Sequence, residues 1–260
     1  AYAHAPHMIT VFLAACATKV AVYVLIRFDF FVFQRNLEAH EFQFALFFLP
    51  LAVMGIAVAS AVAMFEGHIK RLLAFSSVAQ IGYIILGASF MTTAGLTAST
   101  MHMFNHALAK GALFLAVAGL ASRFSDLRLD QLGGAASRMP LTCAALVVAG
   151  FSLVGVPATA GFISKWLLVV AALEQGAAGI ALVALILASS LMALVYVWRI
   201  VETLYFKPVL QGDTSRREAP LQLLVMIWVA ALANIFFGFF PQAPLALAEL
   251  SAALLLGGGA

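Results

Sequence analysis

The stretch STMHMFNHALAKGALFLAVAGLA, residues 99–121, is a long run of apolar, helix-forming residues without an acidic residue or an arginine. An α-helix needs about 20 such residues to cross the roughly 30 Å hydrocarbon core of a bilayer. The ionisable side chains of His102, His106 and Lys110 interrupt the run, and their i, i+4 spacing places them on one face of a helix. The stretch therefore predicts a transmembrane helix with one polar face.

The rest of the chain has the same apolar character. Hydrophobic residues make up 64% of the sequence and charged residues 10%, with a mean hydropathy of +1.06, whereas about a quarter of the residues of a soluble domain are charged. We therefore expect an all-α, polytopic transmembrane helix bundle with about seven spans. The predicted spans are 7–27, 45–64, 72–91, 99–121, 141–172, 180–206 and 220–240, followed by a short apolar tail at 244–256.

Basic residues predict the orientation of the bundle. The loops after the second, fourth and sixth predicted spans hold most of them, whereas the alternate loops hold only Arg27 and Arg35. By the positive-inside rule, those loops and the N-terminus are expected on the cytoplasmic side. The net charge of +3 forms no basic stripe, so we expect no nucleic-acid partner. The basic loop residues are Lys70, Arg71, Arg123, Arg128, Arg138, Arg199, Lys207, Arg216 and Arg217.

The remaining basic residues, Lys19, Lys110 and Lys165, are lysines within predicted spans. A charge at the centre of a bilayer costs at least about 2.5 to 3.5 kcal/mol, so these residues need a purpose. Lysine, unlike arginine, can release its proton when it is removed from water. A row of such groups bridged by water is a path for protons, and snorkelling of the side chains towards the membrane surface is the structural alternative.

Other chemistry has less support in the sequence. His102 and His106 could grip zinc, but the third and fourth ligands are missing and Lys110 would repel the ion, so we expect no metal site. Taken alone, the two histidines could equally bond neighbouring backbone groups. Cys16 and Cys143 form no iron–sulfur motif, and no dinucleotide-binding glycine pattern is present. We therefore expect no cofactor in this chain, with any redox chemistry in partner subunits.

The fifth predicted span has a break in its middle. Its sequence, PLTCAALVVAGFSLVGVPATAGFISKWLLVV at 140–170, carries Pro157 between two glycines. Proline removes a backbone hydrogen bond and clashes with the preceding turn, so we expect the helix to be interrupted there. Interrupted helices form ion sites in transporters, although a simple kink is also common. Nearby polar residues line either a hydrated channel or contacts between helices; they are Thr159, Ser164, Ser76, Ser77 and Gln80.

Four ordered motifs together carry a family resemblance. They are AHAPHMITVFLAACATKVAVYVLIRF (3–28), IKRLLAFSSVAQIGY (69–83), HMFNHALAKGALFL (102–115) and SLVGVPATAGFISKWLL (152–168). They resemble the second half of the proton-pumping antiporter-like subunits of respiratory complex I, membrane-bound hydrogenases and Mrp sodium/proton antiporters. The resemblance implies two inverted five-helix repeats, each with a broken helix, and a chain of buried ionisable residues that carries protons near the middle of the membrane.

The resemblance also implies roles for individual residues. Lys19 would be the bridging lysine on the last helix of the first repeat, and His106 and Lys110 the central relay of the second. Lys165 would stand beside the broken helix and gate exchange with one side of the membrane. His102 is a further candidate on the same face as the central relay.

The expected organisation follows from the same resemblance. Residues 1–27 would be the last helix of a first repeat whose remainder is absent, 45–206 the second five-helix repeat, and 220–256 a C-terminal helix and tail. The expected partners are membrane lipid and other hydrophobic subunits, one of them supplying the missing repeat. The tail FGFFPQAPLALAELSAALL (237–255) resembles the D-type Mrp subunit, so we expect Mrp-type antiport of protons and possibly sodium. The alternative is a subunit of a redox-driven pump, an NADH:quinone oxidoreductase or a hydrogenase.

Overall fold

The computed structural model describes residues 5–32, 37–209 and 217–257. This part of the chain is helical throughout, apart from short connections, and two helices continue into π-helical turns at Leu13–Ala17 and Glu202–Phe206. The α-helices are α1 His7–Phe12, α2 Thr18–Val32, α3 Leu37–Phe65, α4 Ile69–Ser89, α5 Thr93–Ala121, α6 Ala135–Arg138, α7 Pro140–Val154, α8 Ala160–Leu173, α9 Ala177–Val201, α10 Leu221–Phe239 and α11 Gln242–Leu255.

Six segments of the described chain are long and apolar enough, by length and composition, to cross a membrane. The predicted polytopic helical bundle is therefore confirmed. The fifth predicted span consists instead of two half-length helices, α7 and α8, and the apolar tail forms the short helix α11. The six long segments are His7–Phe31, Phe44–Phe65, Ile69–Ser89, Thr93–Ala121, Ala177–Phe206 and Leu221–Phe239.

The break between α7 and α8 lies where Pro157 predicts it. Helix α7 ends at Val154, and Gly155 follows with a φ of 89°, a left-handed conformation that glycine adopts without strain. Ala158 also has a positive φ, of 70°. The chain then re-enters a helix at Ala160, where the amide of Gly161 donates to the Ser152 Oγ at 3.2 Å. Free helix ends therefore lie inside the bundle.

Helix α5 is the centre of the bundle, because α1, α4, α7, α8, α10 and α11 all pack against it. Small residues let these helices approach closely. A Cβ atom at Gly95 would lie 2.4 Å from the Gly87 carbonyl oxygen, and one at Gly161 would lie 1.8 Å from the Ser152 carbonyl oxygen. Close backbone contact of this kind is typical of membrane helix interfaces.

The loops predicted to lie on one side of the membrane meet at one end of the bundle, here called the basic face. Backbone bonds join Ile69 to Leu127 at 3.1 Å and Leu129 to Gly67 at 2.8 Å, and the amide of Arg217 donates to the Arg138 carbonyl at 3.2 Å. The prediction of loop positions was wrong for four basic residues, because Lys70 and Arg71 lie in the first turn of α4, Arg199 lies in the last turn of α9 and Arg27 lies within α2. Arg35 and Arg216 lie outside the described residues.

Candidate functional site: a buried row of ionisable side chains

The polar face of α5 is turned into the bundle. His102 and His106 are each 2% exposed, and Lys110 is fully buried. The two imidazole rings are nearly parallel, with centroids 6.1 Å apart and an interplanar angle of 15°. Their spacing of one helical turn thus places three ionisable groups in a row through the protein interior.

Lys110 reaches across to α4. Its Nζ donates to the Leu73 carbonyl oxygen at 2.7 Å and to the Ser76 Oγ at 2.6 Å, and it lies 5.9 Å from the centre of the Phe114 ring. These partners are neutral oxygens and an aromatic face. They can stabilise an ammonium group without neutralising it as a carboxylate would.

His106 is the group with unmet hydrogen-bonding capacity. Both of its ring nitrogens are buried, and neither has a hydrogen-bond partner among the described residues. It is also within electrostatic range of Lys19, Lys110, His102 and Lys165. Because a buried polar group normally has a partner in the protein or in water, the arrangement suits an internal water at His106.

His102 is held from both sides. Its Nε2 lies 3.0 Å from the Gln80 Oε1, and its Nδ1 lies 2.9 Å from the Ser164 Oγ. Since Oε1 can only accept, Nε2 carries a proton and donates to it. The imidazole bridges α4 and α8, which ties the broken span to the centre of the row.

Lys165 lies at the free end of α7. Its Nζ donates to the carbonyl oxygens of Val154 at 2.8 Å and Leu153 at 3.2 Å, and to the Ser190 Oγ at 3.1 Å. It also lies 5.2 Å from the centre of the Tyr83 ring. A positive charge at a helix C-terminus is favourable, by up to about 2 kcal/mol where the geometry is partly buried.

Lys19 follows the π-helical turn Leu13–Ala17. Its Nζ donates to the Ala14 carbonyl oxygen inside its own span and contacts the Thr18 Oγ1 at 3.3 Å. It is 5% exposed, and it acts electrostatically on both Lys110 and His106. None of the three lysines snorkels to the membrane surface, because each ammonium group is bound within the bundle.

The structure also brings residues to the row that sequence reasoning missed. Tyr83 contacts His102 edge to face, with ring centroids 5.4 Å apart, and its hydroxyl is hydrogen-bonded to Ser189. Asn105 donates to the Ala160 carbonyl at 2.6 Å, while its own Oδ1 has no partner among the described residues. The sequence signal that could have identified Tyr83 and Asn105 was their polar side chains within apolar spans. Such residues are common at ordinary helix contacts, so the signal is weak.

A metal centre has no support from the geometry. The described residues contain no group of three or more His, Cys, Asp or Glu side chains that could hold a metal ion. The ammonium groups beside His102 and His106 would also disfavour a cation.

Comparisons with known proteins bear on this site. Residues 1–194 match the family described as "NADH:quinone oxidoreductase/Mrp antiporter, TM". A curated relative, NADH-quinone oxidoreductase subunit N of Desulforudis audaxviator, is 36% identical over 254 residues, covering 93% of this chain and 50% of that protein. The chain thus spans about half the length of the curated relatives that it matches.

Two solved structures have the same fold. One is the membrane-bound sulfane sulfur reductase, an archaeal respiratory membrane complex; its matching chain is 28% identical, with a TM-score of 0.86, 98% of this chain covered and 50% of that one. The other is the Mrp complex from Dietzia sp., with 24% identity, a TM-score of 0.85 and coverage of 97% of this chain and 54% of that one. At that identity the second likeness shows the fold alone. The chain therefore belongs to the NADH:quinone oxidoreductase/Mrp antiporter family of transmembrane proteins, and it is an integral membrane protein.

Proposed function

We propose that this chain conducts protons as one module of a redox-driven, complex I-like respiratory complex. One observation carries the proposal. Lys19, Lys110 and Lys165 are buried, and the hydrogen bonds of their ammonium groups within the described part of the chain go to backbone carbonyls and hydroxyls. Ionisable residues inside membrane spans are rare and by default mark ion or proton pathways. These hydrogen-bond partners carry no negative charge that would hold a proton on the lysines, so the pattern favours groups that change their protonation.

The row provides the steps that proton transfer needs. Lys110 and His106 are one turn apart on α5, and His106 stacks over His102. His102 then reaches Ser164, the neighbour of Lys165 in the chain. Water at the unpartnered nitrogens of His106 would complete the link between the lysine and the histidines. Because the row holds several like charges, occupancy of one site by a proton raises the energy of a proton at the next.

The names of the relatives favour the respiratory alternative over Mrp-type antiport. The chain is 36% identical to an NADH-quinone oxidoreductase subunit and 30% identical to an F420H2 dehydrogenase subunit. We therefore propose partners with redox cofactors, together with a membrane chain that supplies the other half of the relatives' length.

We also propose that residues 1–27 are the end of a first repeat, 45–206 a second repeat and 220–256 a C-terminal extension. The proposed location is a bacterial cytoplasmic membrane, with the basic face on the cytoplasmic side.

The test is proton flux in proteoliposomes that contain the assembled complex. Lys110→Ala and Lys165→Ala should each lower flux at least about 100-fold, because each removes a proton-transfer group. Lys207→Ala is the matched control, since Lys207 is exposed at the basic face, and it should leave flux unchanged.

Normal flux in assembled Lys110→Ala and Lys165→Ala complexes would refute conduction through this chain. The same vesicles separate the two kinds of parent complex. Proton uptake that follows electron transfer and is independent of sodium supports the respiratory assignment. Proton efflux that requires an inward sodium gradient would overturn it in favour of Mrp-type antiport.

A further inference from the structure

A second cluster of ionisable groups lies at the basic face, outside the row. A cavity of about 380 Å³ opens where α1 begins, where α4 begins and where the loop after α5 passes between them. Its walls include the side chains of His7, His68, Lys70 and Asp126. The walls of this cavity are therefore far more polar than the membrane-facing surface of the bundle, and the residues on them can take up and release protons.

The cavity walls are well defined. The His68 Nδ1 accepts from the Lys70 amide at 3.2 Å, which caps the first turn of α4. An isolated β-bridge pairs His68 with Arg128 and holds the loop after α5 against α4. The Lys70 Nζ donates to the Ala5 carbonyl at 3.0 Å, which fixes the start of α1. Three separate segments are thus fastened around one opening.

The histidines have free capacity for proton exchange. The buried Nδ1 of His7 has no hydrogen-bond partner among the described residues. The Nε2 of His68 is directed away from its capping bond, because Nδ1 makes that bond. Burial lowers the pKa of His68, opposed by Asp126 and Glu66 and reinforced by Lys70 and Arg71, so the imidazole is neutral at neutral pH and can accept a proton.

The cavity lies close to the row along α4. Lys70 is 3% exposed, and one to two turns further along α4 come the Leu73 carbonyl and the Ser76 Oγ, both of which bind the Lys110 ammonium group. At a rise of about 1.5 Å per residue, Lys70 and Ser76 are only about 9 Å apart along the helix axis. Less than two turns of α4 therefore separate the cavity from the row.

We propose that this cavity is the mouth through which Lys110 exchanges protons with the aqueous phase at the basic face, with His7 and His68 as the exchanging groups. The proposal rests on the proposed function of the row. At such a mouth protons pass between imidazole and water without a metal cation having to enter.

The experiment uses the assembled complex in proteoliposomes and the double variant His7→Asn with His68→Asn. Asparagine preserves the helix cap at position 68, so folding is expected to survive. Flux should fall about tenfold, because proton transfer through a positioned side chain is lost. Imidazole buffer added on the side of the basic face should restore flux, because it replaces the missing exchanging groups, whereas imidazole on the other side should not.

The controls separate this proposal from the proposed function. Lys110→Ala should lose flux without rescue by imidazole, because the defect lies inside the bundle. Unchanged flux in the double variant, or a loss that imidazole does not restore, would refute the assignment of this cavity as the site of proton exchange. The proposed function of the row would be unaffected. Full flux in Lys110→Ala would instead overturn the function of the row. Rescue of Lys110→Ala by imidazole would also refute the assignment of the cavity, because the buffer would then not be replacing His7 and His68.

Discussion

At the scale of single residues, the position of the Lys165 side chain depends on the absence of a side chain at Gly155. A Cβ atom there would lie 2.9 Å from the Lys165 Cδ and 3.7 Å from its Nζ. Glycine therefore provides both the left-handed turn that ends α7 and the room for the lysine side chain to lie against that end. Gly155 thus determines both the backbone conformation at the end of α7 and the position of the Lys165 ammonium group.

We expect Gly155→Ala to lower proton flux severalfold by displacing Lys165 from the carbonyls of Leu153 and Val154. It should also destabilise the protein by about 1 to 3 kcal/mol, because alanine is strained at this φ. Gly176→Ala is the control: its φ is also positive, at 67°, but a Cβ there meets nothing within 4 Å. It should lower thermal stability and keep flux. Equal flux in the two variants would contradict the role assigned to Gly155.

At the scale of elements, α7 is a short helix whose two ends are held by other parts of the chain. At its start, the Glu218 carboxylate accepts from the amides of Leu141 at 2.6 Å and Thr142 at 3.3 Å, and from the Thr142 hydroxyl at 2.7 Å. At its end, Lys165 binds the free carbonyls. A negative group at the N-terminus and a positive one at the C-terminus both complement the helix dipole.

Glu218→Ala should therefore lower the stability of the complex by about 0.5 to 2 kcal/mol, the usual effect of losing a helix cap. Thermal unfolding of the purified complex measures the change. Glu249→Ala, at an exposed position of α11, is the control and should have little effect. Proton flux should stay within about twofold, because Glu218 lies outside the row. A large loss of flux at unchanged stability would mean that Glu218 takes part in conduction.

Sequence patterns predicted some of these elements and missed others for physical reasons. The face of His102, His106 and Lys110 was predictable because helical periodicity alone brings i and i+4 together. The break was predictable because Pro157 cannot continue a helix without losing a bond. The partners of Lys165 were not, since Leu153, Val154 and Ser190 are joined to it only by the tertiary fold. The π-helical turn at Leu13–Ala17 leaves no composition signal at all.

At the scale of the whole molecule, much of the surface of the span His7–Phe31, which carries Lys19, is uncovered in this chain. Many of its apolar side chains are exposed in this chain, among them Met8, Phe12, Val20, Val24 and Phe28. Lys19 nevertheless belongs to the same span and is buried. Since the chain spans about half the length of its curated relatives, this side is where we propose that the rest of such a subunit packs.

The native cysteines can test that assembly. Cys16 is exposed on this span, whereas Cys143 is buried. In the detergent-solubilised native complex, Cys16 should be protected from a small maleimide, and it should become reactive when the chain is separated from its partners. Cys143 should stay unreactive in both samples and serves as the internal control. Labelling of Cys16 at the same rate in the complex would mean that lipid, rather than a protein partner, covers this surface.

The π-helical turn at Leu13–Ala17 is a place where the span can change length without a change in the direction of Lys19. A π-helical turn contains one residue more than an α-helical turn, whereas successive residues of an α-helix are offset by about 100° around the axis. Removing one residue from this turn would therefore restore an ordinary helix and leave Lys19 directed as before. Removing one residue from an ordinary turn, such as the one between His106 and Lys110, would swing Lys110 through about a quarter of a revolution. The polar row is thus tolerant of a single-codon deletion at the π-helical turn and intolerant of one within α5.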